Sequence, residues 1–244
     1  MAETFQVSVK KKNYTIHICA NDVTDVTDVT NTIVIHLAMS RTIPKLTDLY
    51  YPILKTSLRA DFSIVEVEIE DWNRELSPWE FIEPKGKMSF AGEGRQLLLD
   101  LEQVIIPWLC KQLRVKQNQV SFIIAGHSLA GLFSLWALHQ TKLFQAAVSC
   151  SGSLWYPGFL EYALEHELKE DCDIYLSLGK REAKVRKPYL SKIGEVTQEL
   201  YEKYQTDARV KHTVLEWTKG GHFQDPLEKI IDGVACVLKW QKKK

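Results

Sequence analysis

The chain has 244 residues, 45% hydrophobic and 25% charged, enough for a sizeable core and fitting one α/β domain over residues 1–244 rather than two. Its 31 basic and 31 acidic side chains give a formal net charge of zero, which excludes bulk electrostatic attraction to nucleic acid or to an anionic membrane. No apolar run is long enough to span a bilayer, and the opening stretch MAETFQVSVKKK lacks the apolar core of a cleaved signal, so a cytoplasmic protein is expected.

Phe5–Val9 and Tyr14–Cys19 read as two strands of an antiparallel edge hairpin, joined by Lys10–Asn13. Asp22–Thr30 repeats Asp-Val-Thr three times; it reads as a solvated loop, since the glycine and terminal glutamate of a calcium loop are missing. Thr32–Met39 is a buried strand, and Pro44 opens a helix to about Leu58 that Pro52 should kink. Phe62–Ile69 is the next strand, followed by a loop over Glu70–Trp79. Gly86, Gly92 and Gly94 mark a flexible connection into a long helix, Arg95–Leu113, interrupted near Pro107.

The next stretch, Ser121–Gly131, organises the chain. A short apolar run, Phe122–Ala125, turns sharply at Gly126-His127-Ser128 and enters an apolar helix, Leu129–His139. A serine at such a turn is held in a strained conformation that lifts its hydroxyl above the sheet edge, and it tolerates only small neighbours, here Gly126, Ala130 and Gly131. Beyond it come the strand Gln145–Cys150, a helix over about Pro157–Lys169, the strand Asp173–Leu178, a charged loop Lys180–Lys187, a helix over about Pro188–Tyr204, the strand Val210–Glu216 and a last helix from about Pro226 to Trp240. Strands alternating with helices predict a mainly parallel sheet covered on both faces.

In such a sheet, reactive groups gather at the carboxyl ends of the strands. Ser128, Glu182 and His222 follow three of them, in the order nucleophile, acid, histidine. A serine hydroxyl needs an imidazole to take its proton and an acid to hold that imidazole. Gly220 and Gly221 let the last loop present His222 without clash. Glu182 is the one carboxylate in its loop; Asp173 is the runner-up but starts its strand. His127 should point away from Ser128 and serve packing or substrate contact, and Asp225 should cap the last helix. Leu129 N–H, unpaired at the helix start, and Met39 N–H are the expected oxyanion donors. The five cysteines are scattered with no metal-ligand spacing, and Cys150 reads as a buried structural thiol. Trp72, Trp79, Trp155, Tyr156 and Phe223 lie in loops that should face the site, as aromatic walls suited to planar or apolar acyl groups. Arg74, Lys180, Arg181 and Arg186 are candidate receivers of an anionic substrate group.

Taken together, these residues resemble the putative-esterase family of α/β-hydrolases, which includes enterochelin-type siderophore esterases, feruloyl esterases and S-formylglutathione hydrolase. The resemblance runs from about Thr32 to Asp225. It rests on Gly126-His-Ser-Leu-Ala-Gly131, on Arg74-Glu-Leu-Ser-Pro78, on Ser149–Trp155, on Gly179-Lys-Arg-Glu182 and on Gly220-Gly-His-Phe223. Leu37-Ala38-Met39 departs from it, because a glycine is usual in the middle. The resemblance implies an α/β-hydrolase fold and a serine esterase acting on a small-molecule carboxylic ester through an acyl-enzyme; it does not fix the substrate, though the aromatic and basic loop residues would suit a siderophore lactone or another anionic aromatic acyl ester. No cofactor or metal is expected, the zero net charge gives no expectation of a nucleic-acid or membrane partner, and the oligomeric state is left open. Trp72, Arg74, Trp155 and Phe223 are the substrate-binding candidates. An acyltransferase using the same residues, or a non-catalytic ligand-binding member, are the alternatives.

Overall fold

Strand pairing in this computed structural model, which describes residues 2–10, 12–20, 32–40, 46–49, 51–58, 62–83, 88–184 and 191–241, falls in two units of the chain, Met1–Ile124 and Ala125–Lys244. In the first unit, β1 (Glu3–Val9) and β2 (Lys12–Cys19) form an antiparallel hairpin with Val9 opposite Lys12. The connection is tighter than Lys10–Asn13. Lys10 takes φ 56°, the left-handed conformation that short hairpin turns require. β3 (Thr32–Met39) and β4 (Phe62–Ile69) pair in parallel along their whole length, and β2 pairs antiparallel with β4. Ile33, Val34, Ile35 and Leu37 are all buried, so β3 reads as a continuous apolar run and not as an alternation.

Several elements of this unit differ from the sequence expectation, each for a local reason. The helix expected over Pro44–Leu58 is described as α1 (Leu46–Leu49) and α2 (Tyr51–Leu58); Pro44 lies outside the described residues, as does the Asp22–Thr30 repeat. Pro52 lies in α2, and Tyr50, between α1 and α2, is outside the described residues, as is any bend expected there. The expected loop Glu70–Trp79 contains a short helix, α3 (Trp72–Glu75), capped by Asp71 through its carboxylate on Arg74 N–H at 3.2 Å. β5 (Glu80–Ile82) and β6 (Ser89–Ala91) then form a small antiparallel pair on which Phe81 and Phe90 stack. The long helix is α4 (Gly94–Asp100) and α5 (Ile106–Gln112) joined by a π-helical segment, Leu101–Ile105. There Ile106 N–H reaches back to the Leu101 carbonyl. The widened turn stands immediately before Pro107, whose ring would strike a carbonyl four residues back in a regular helix.

β7 (Ser121–His127) carries the division between the units within it, lying next to β3 in the first and next to β8 (Ala146–Cys150) in the second. From β8 the second unit continues in parallel through β9 (Cys172–Gly179) to β10 (Val210–Thr218), which closes the edge. Its helices are α6 (Leu129–Leu138), α7 (Phe159–Glu165), α8 (Ile193–Thr206) and α9 (Pro226–Gln241). α7 is shorter than Pro157–Lys169 because Gly158, at φ 79°, precedes it and His166 leaves it in an extended conformation. Residues 188–190 lie outside the description, and α8 is described from Ile193. The result is a mostly parallel α/β sheet with an antiparallel N-terminal hairpin. α9 buries Lys229, Ile230, Gly233, Val234, Val237 and Leu238, the stripe that helical periodicity gives. Gly233 permits its closest approach: a methyl there would come within 2.5 Å of Val148 Cγ1 and 2.7 Å of Tyr175 Cδ1. Among the described residues no helix is long and apolar enough to cross a membrane.

Candidate active site

The turn from β7 into α6 holds Ser128 at φ 61°, ψ −122°, a backbone conformation that L-residues rarely take. It is fixed from both sides: Ser128 N–H donates to the Cys150 carbonyl at 3.1 Å, and the Ser128 carbonyl accepts from Ser153 N–H at 2.9 Å and Leu132 N–H at 3.1 Å. The small neighbours have a steric reason. A side chain at Gly126 would collide with Ala130, and one at Gly131 would meet Ser149 Oγ at 2.9 Å. Ala130 therefore fits where a glycine is usual because Gly126 stands opposite it.

Three side chains from separate strand ends meet here. Ser128 Oγ lies 2.9 Å from His222 Nε2, and His222 Nδ1 lies 2.8 Å from Glu182 Oε2. Glu182 opens a short 3₁₀ turn, Glu182–Lys184, after β9, and His222 follows Gly220 and Gly221 after β10. The carboxylate can only accept at Nδ1, so Nδ1 carries the proton and Nε2 faces Ser128 with its lone pair. Burial alone would raise the Glu182 carboxyl. The hydrogen bonds from His222 and Ser151, with Gly179 N–H at 2.9 Å, outweigh it and hold the carboxyl at about 2. The acid and histidine loops are also tied through their backbones, Lys180 N–H to the Thr218 carbonyl and Arg181 N–H to the Gly220 carbonyl, each at 3.0 Å.

Three groups at this centre carry contacts that the sequence reading did not assign. Ser153 Oγ lies 3.2 Å from Ser128 Oγ. Ser151 Oγ donates to Glu182 Oε1 at 2.7 Å. Lys229, buried on α9, reaches Ser151 Oγ at 3.1 Å, the Gly221 carbonyl at 3.0 Å and Glu182 Oε1 at 3.5 Å. A lysine on the apolar stripe of an amphipathic helix was the available signal. His127 does turn to packing, but against the histidine itself: its Nε2 donates to the His222 carbonyl at 2.9 Å, and the rings lie 4.7 Å apart. Burial, and then the neighbouring His222, press His127 down to about 4, so it is neutral near pH 7. Asp225 meets α9 through its backbone carbonyl, which accepts Lys229 N–H at 3.2 Å. Asp173 is fully buried at the start of β9, paired with His212 Nδ1 at 2.8 Å and Gln241 Nε2 at 2.6 Å. Cys150 is buried too; burial pushes its thiol up to about 12, and its Sγ faces the Lys229 carbonyl.

Of the remaining candidates, Leu129 opens α6, so its N–H has no acceptor within the helix. Phe223 is 86% exposed with its ring edge-on to His222 at 4.7 Å. Trp155 is half-buried, whereas Tyr156 beside it is core. Met39, at the end of β3, is half-exposed; Trp72 opens α3. The Arg74 guanidinium is held by Asp71 Oδ2 at 3.1 Å and Glu93 Oε1 at 2.7 Å, so an anionic ligand would compete with two carboxylates. Arg186 lies outside the described residues. Among the described residues no group of three or more His, Cys, Asp and Glu is placed to hold a metal ion.

Comparison with known proteins adds a family. The Esterase family model, described as putative esterase, matches residues 50–227. An uncharacterized protein of Bacillus subtilis, YbbA, is 30% identical over 153 residues, which is 59% of this chain and 61% of that protein's length. Among solved structures, the siderophore hydrolase EstA of Aspergillus nidulans superposes with a TM-score of 0.75 at 17% identity, covering 98% of this chain and 94% of that one. An IroE-like serine hydrolase of Shewanella oneidensis gives 0.77 at 16%, covering 98% and 80%. The enterobactin esterase FES of Shigella flexneri, solved with enterobactin, gives 0.71 at 20%, covering 100% of this chain and 60% of that one.

Proposed function

The chain belongs to the putative-esterase family of α/β-hydrolase-like proteins, and from that premise we propose that it is a serine hydrolase of carboxylic esters working through an acyl-enzyme. The observation that carries this reading is the unbroken run of hydrogen bonds from Ser128 Oγ through His222 to Glu182. Ser128 attacks the ester carbonyl as its proton passes to His222 Nε2. Glu182, ionised, steadies the imidazolium that forms. Leu129 N–H, at the start of α6, takes the oxyanion. His222 then gives the serine proton to the leaving alcohol; in the second half it takes a proton from a water that attacks the acyl carbon and passes it to Ser128 Oγ as the bond from Oγ to the acyl group breaks and the acid departs.

The proposed substrate class is an ester with a planar aromatic acyl or lactone part, a siderophore lactone among them. Phe223 supports it as a flat apolar surface beside the histidine, and Trp155, half-buried after β8, is a second aromatic candidate. The names of the similar structures, siderophore hydrolase and enterobactin esterase, point the same way. The test is a panel of aryl, short alkyl, thio- and lactone esters with the purified protein, run beside fluorophosphonate labelling. Wild type should turn over at least one ester and be labelled, whereas Ser128→Ala should lose about a thousandfold or more in turnover and all labelling. Labelling that persists in Ser128→Ala would remove the serine from the mechanism.

A further inference from the structure

Lys229 is a buried ammonium for which the chemistry above has no task. Its relative exposure is 5%, and a lysine is seldom buried unless its charge is paired. Its ammonium donates to Ser151 Oγ at 3.1 Å and to the Gly221 carbonyl at 3.0 Å, and pairs by charge with Glu182 Oε1 at 3.5 Å. Ser151, accepting from the lysine, donates its hydroxyl hydrogen bond to Glu182 Oε1 at 2.7 Å. One ammonium on α9 thus touches the acid, the hydroxyl that holds the acid, and the backbone of the residue before the histidine. These are the parts whose relative position sets the 2.8 Å bond between Glu182 and His222.

We infer that Lys229 is a positioning residue for the reaction, clamping the Glu182 carboxylate and the His222 loop to α9 so that nucleophile, base and acid stay in line. The inference rests on the serine-esterase reading above. Two consequences follow from its charge and place. Geometrically, loss of the clamp frees the Gly220-Gly221-His222 turn, whose glycines offer little resistance of their own. Electrostatically, a cation beside Glu182 opposes the imidazolium that Glu182 favours. The other titratable groups meeting His222 are Glu182 from the β9 loop and His127 from the end of β7; His127 is neutral at working pH, leaving Glu182 and Lys229 as the opposed charges. Removing Lys229 should therefore favour the protonated base.

The experiment compares wild type, Lys229→Met and Lys229→Arg in the whole protein, on one aryl ester, across pH and with melting curves. Lys229→Met should lower kcat by about ten- to hundredfold with KM within about twofold, as misplaced catalytic groups do. The acidic limb of its kcat/KM profile should move up by about one pH unit, a shift that mere loosening of α9 would not produce. Lys229→Arg, which keeps the charge, should hold that limb where wild type has it. A folded Lys229→Met with wild-type kcat and an unmoved limb overturns the inference. Should Lys229→Met fail to fold, Ser151→Ala reads the same linkage: a loss of about fivefold or more at unchanged melting temperature supports the clamp, and a rate within about twofold of wild type overturns it. Fluorophosphonate labelling separates this failure from the deeper one. If Ser128→Ala still labels, the serine mechanism falls; if it does not, while the Lys229 variants keep full rate, only the clamp falls.

Discussion

His222 is addressed from four directions: its Nδ1 by Glu182, its Nε2 by Ser128, its carbonyl by His127, and its ring by the edge of Phe223. Two of these were legible in the sequence, because strand ends and glycines announce where a nucleophile and a base can stand. The His127 contact was not, since a neighbour in sequence that points off the turn can only be placed once the histidine loop is placed. On the catalytic reading, Glu182→Gln should lower kcat about a hundredfold or more, because an amide N–H facing Nδ1 favours the imidazole with its proton on Nε2; a rate within about threefold of wild type would hand the orienting role to another group. The pH profile of kcat/KM should show a single acidic limb above about pH 5. Glu182 sits at about 2 and His127 at about 4, so both have finished titrating below that window. A second limb there would mean that another group reports on catalysis. Iodoacetamide should leave turnover untouched, because burial keeps the Cys150 thiol protonated and out of reach.

At the scale of elements, long apolar strands and strongly periodic helices were readable, and short irregular pieces were not. β3, β4 and β7 announce themselves because both faces of a parallel strand are buried. α3 escaped notice because its start depends on one aspartate turning to cap it, and β5 and β6 because three residues carry no period. The break before Pro107 was foreseen as an interruption, yet the chain keeps a helical path by widening one turn ahead of the proline. α9 makes a sharper claim. Gly233 lies where a methyl would press on Val148 and Tyr175, so Gly233→Ala should destabilise the protein by about 1–3 kcal/mol, although alanine is the better helix former. Since Lys229 lies one turn earlier on the same buried face, displacement of α9 should depress kcat as well. Chemical denaturation and a rate assay on the one variant read both; unchanged stability would show that α9 can shift freely.

For the molecule as a whole, buried histidines set the response to acid. His127 and His139 are each held near 4, chiefly by burial, against about 6.5 in an unfolded chain. Between those values the unfolded chain binds more protons than the folded one. Stability is therefore full above about pH 6.5 and declines as the pH falls towards 4, by up to about 1.4 kcal/mol per pH unit for each histidine. Glu182 adds a later loss, its contribution present above about pH 4.5 and fading as the pH falls towards 2. The melting temperature should fall steadily below pH 6.5, and His139→Gln should flatten that fall; a melting temperature level from pH 7 to 4.5 would contradict the assignment. The order of the three reactive residues along the chain has a bearing on synthesis. Ser128 and His222 are 94 residues apart, and α9, which carries Lys229, follows both. At about 5–20 residues per second, roughly 5–20 s separate the synthesis of Ser128 from that of His222. On the serine-esterase reading, a chain leaving the ribosome shows its serine before it has either the imidazole that would take the serine's proton or the helix that carries Lys229.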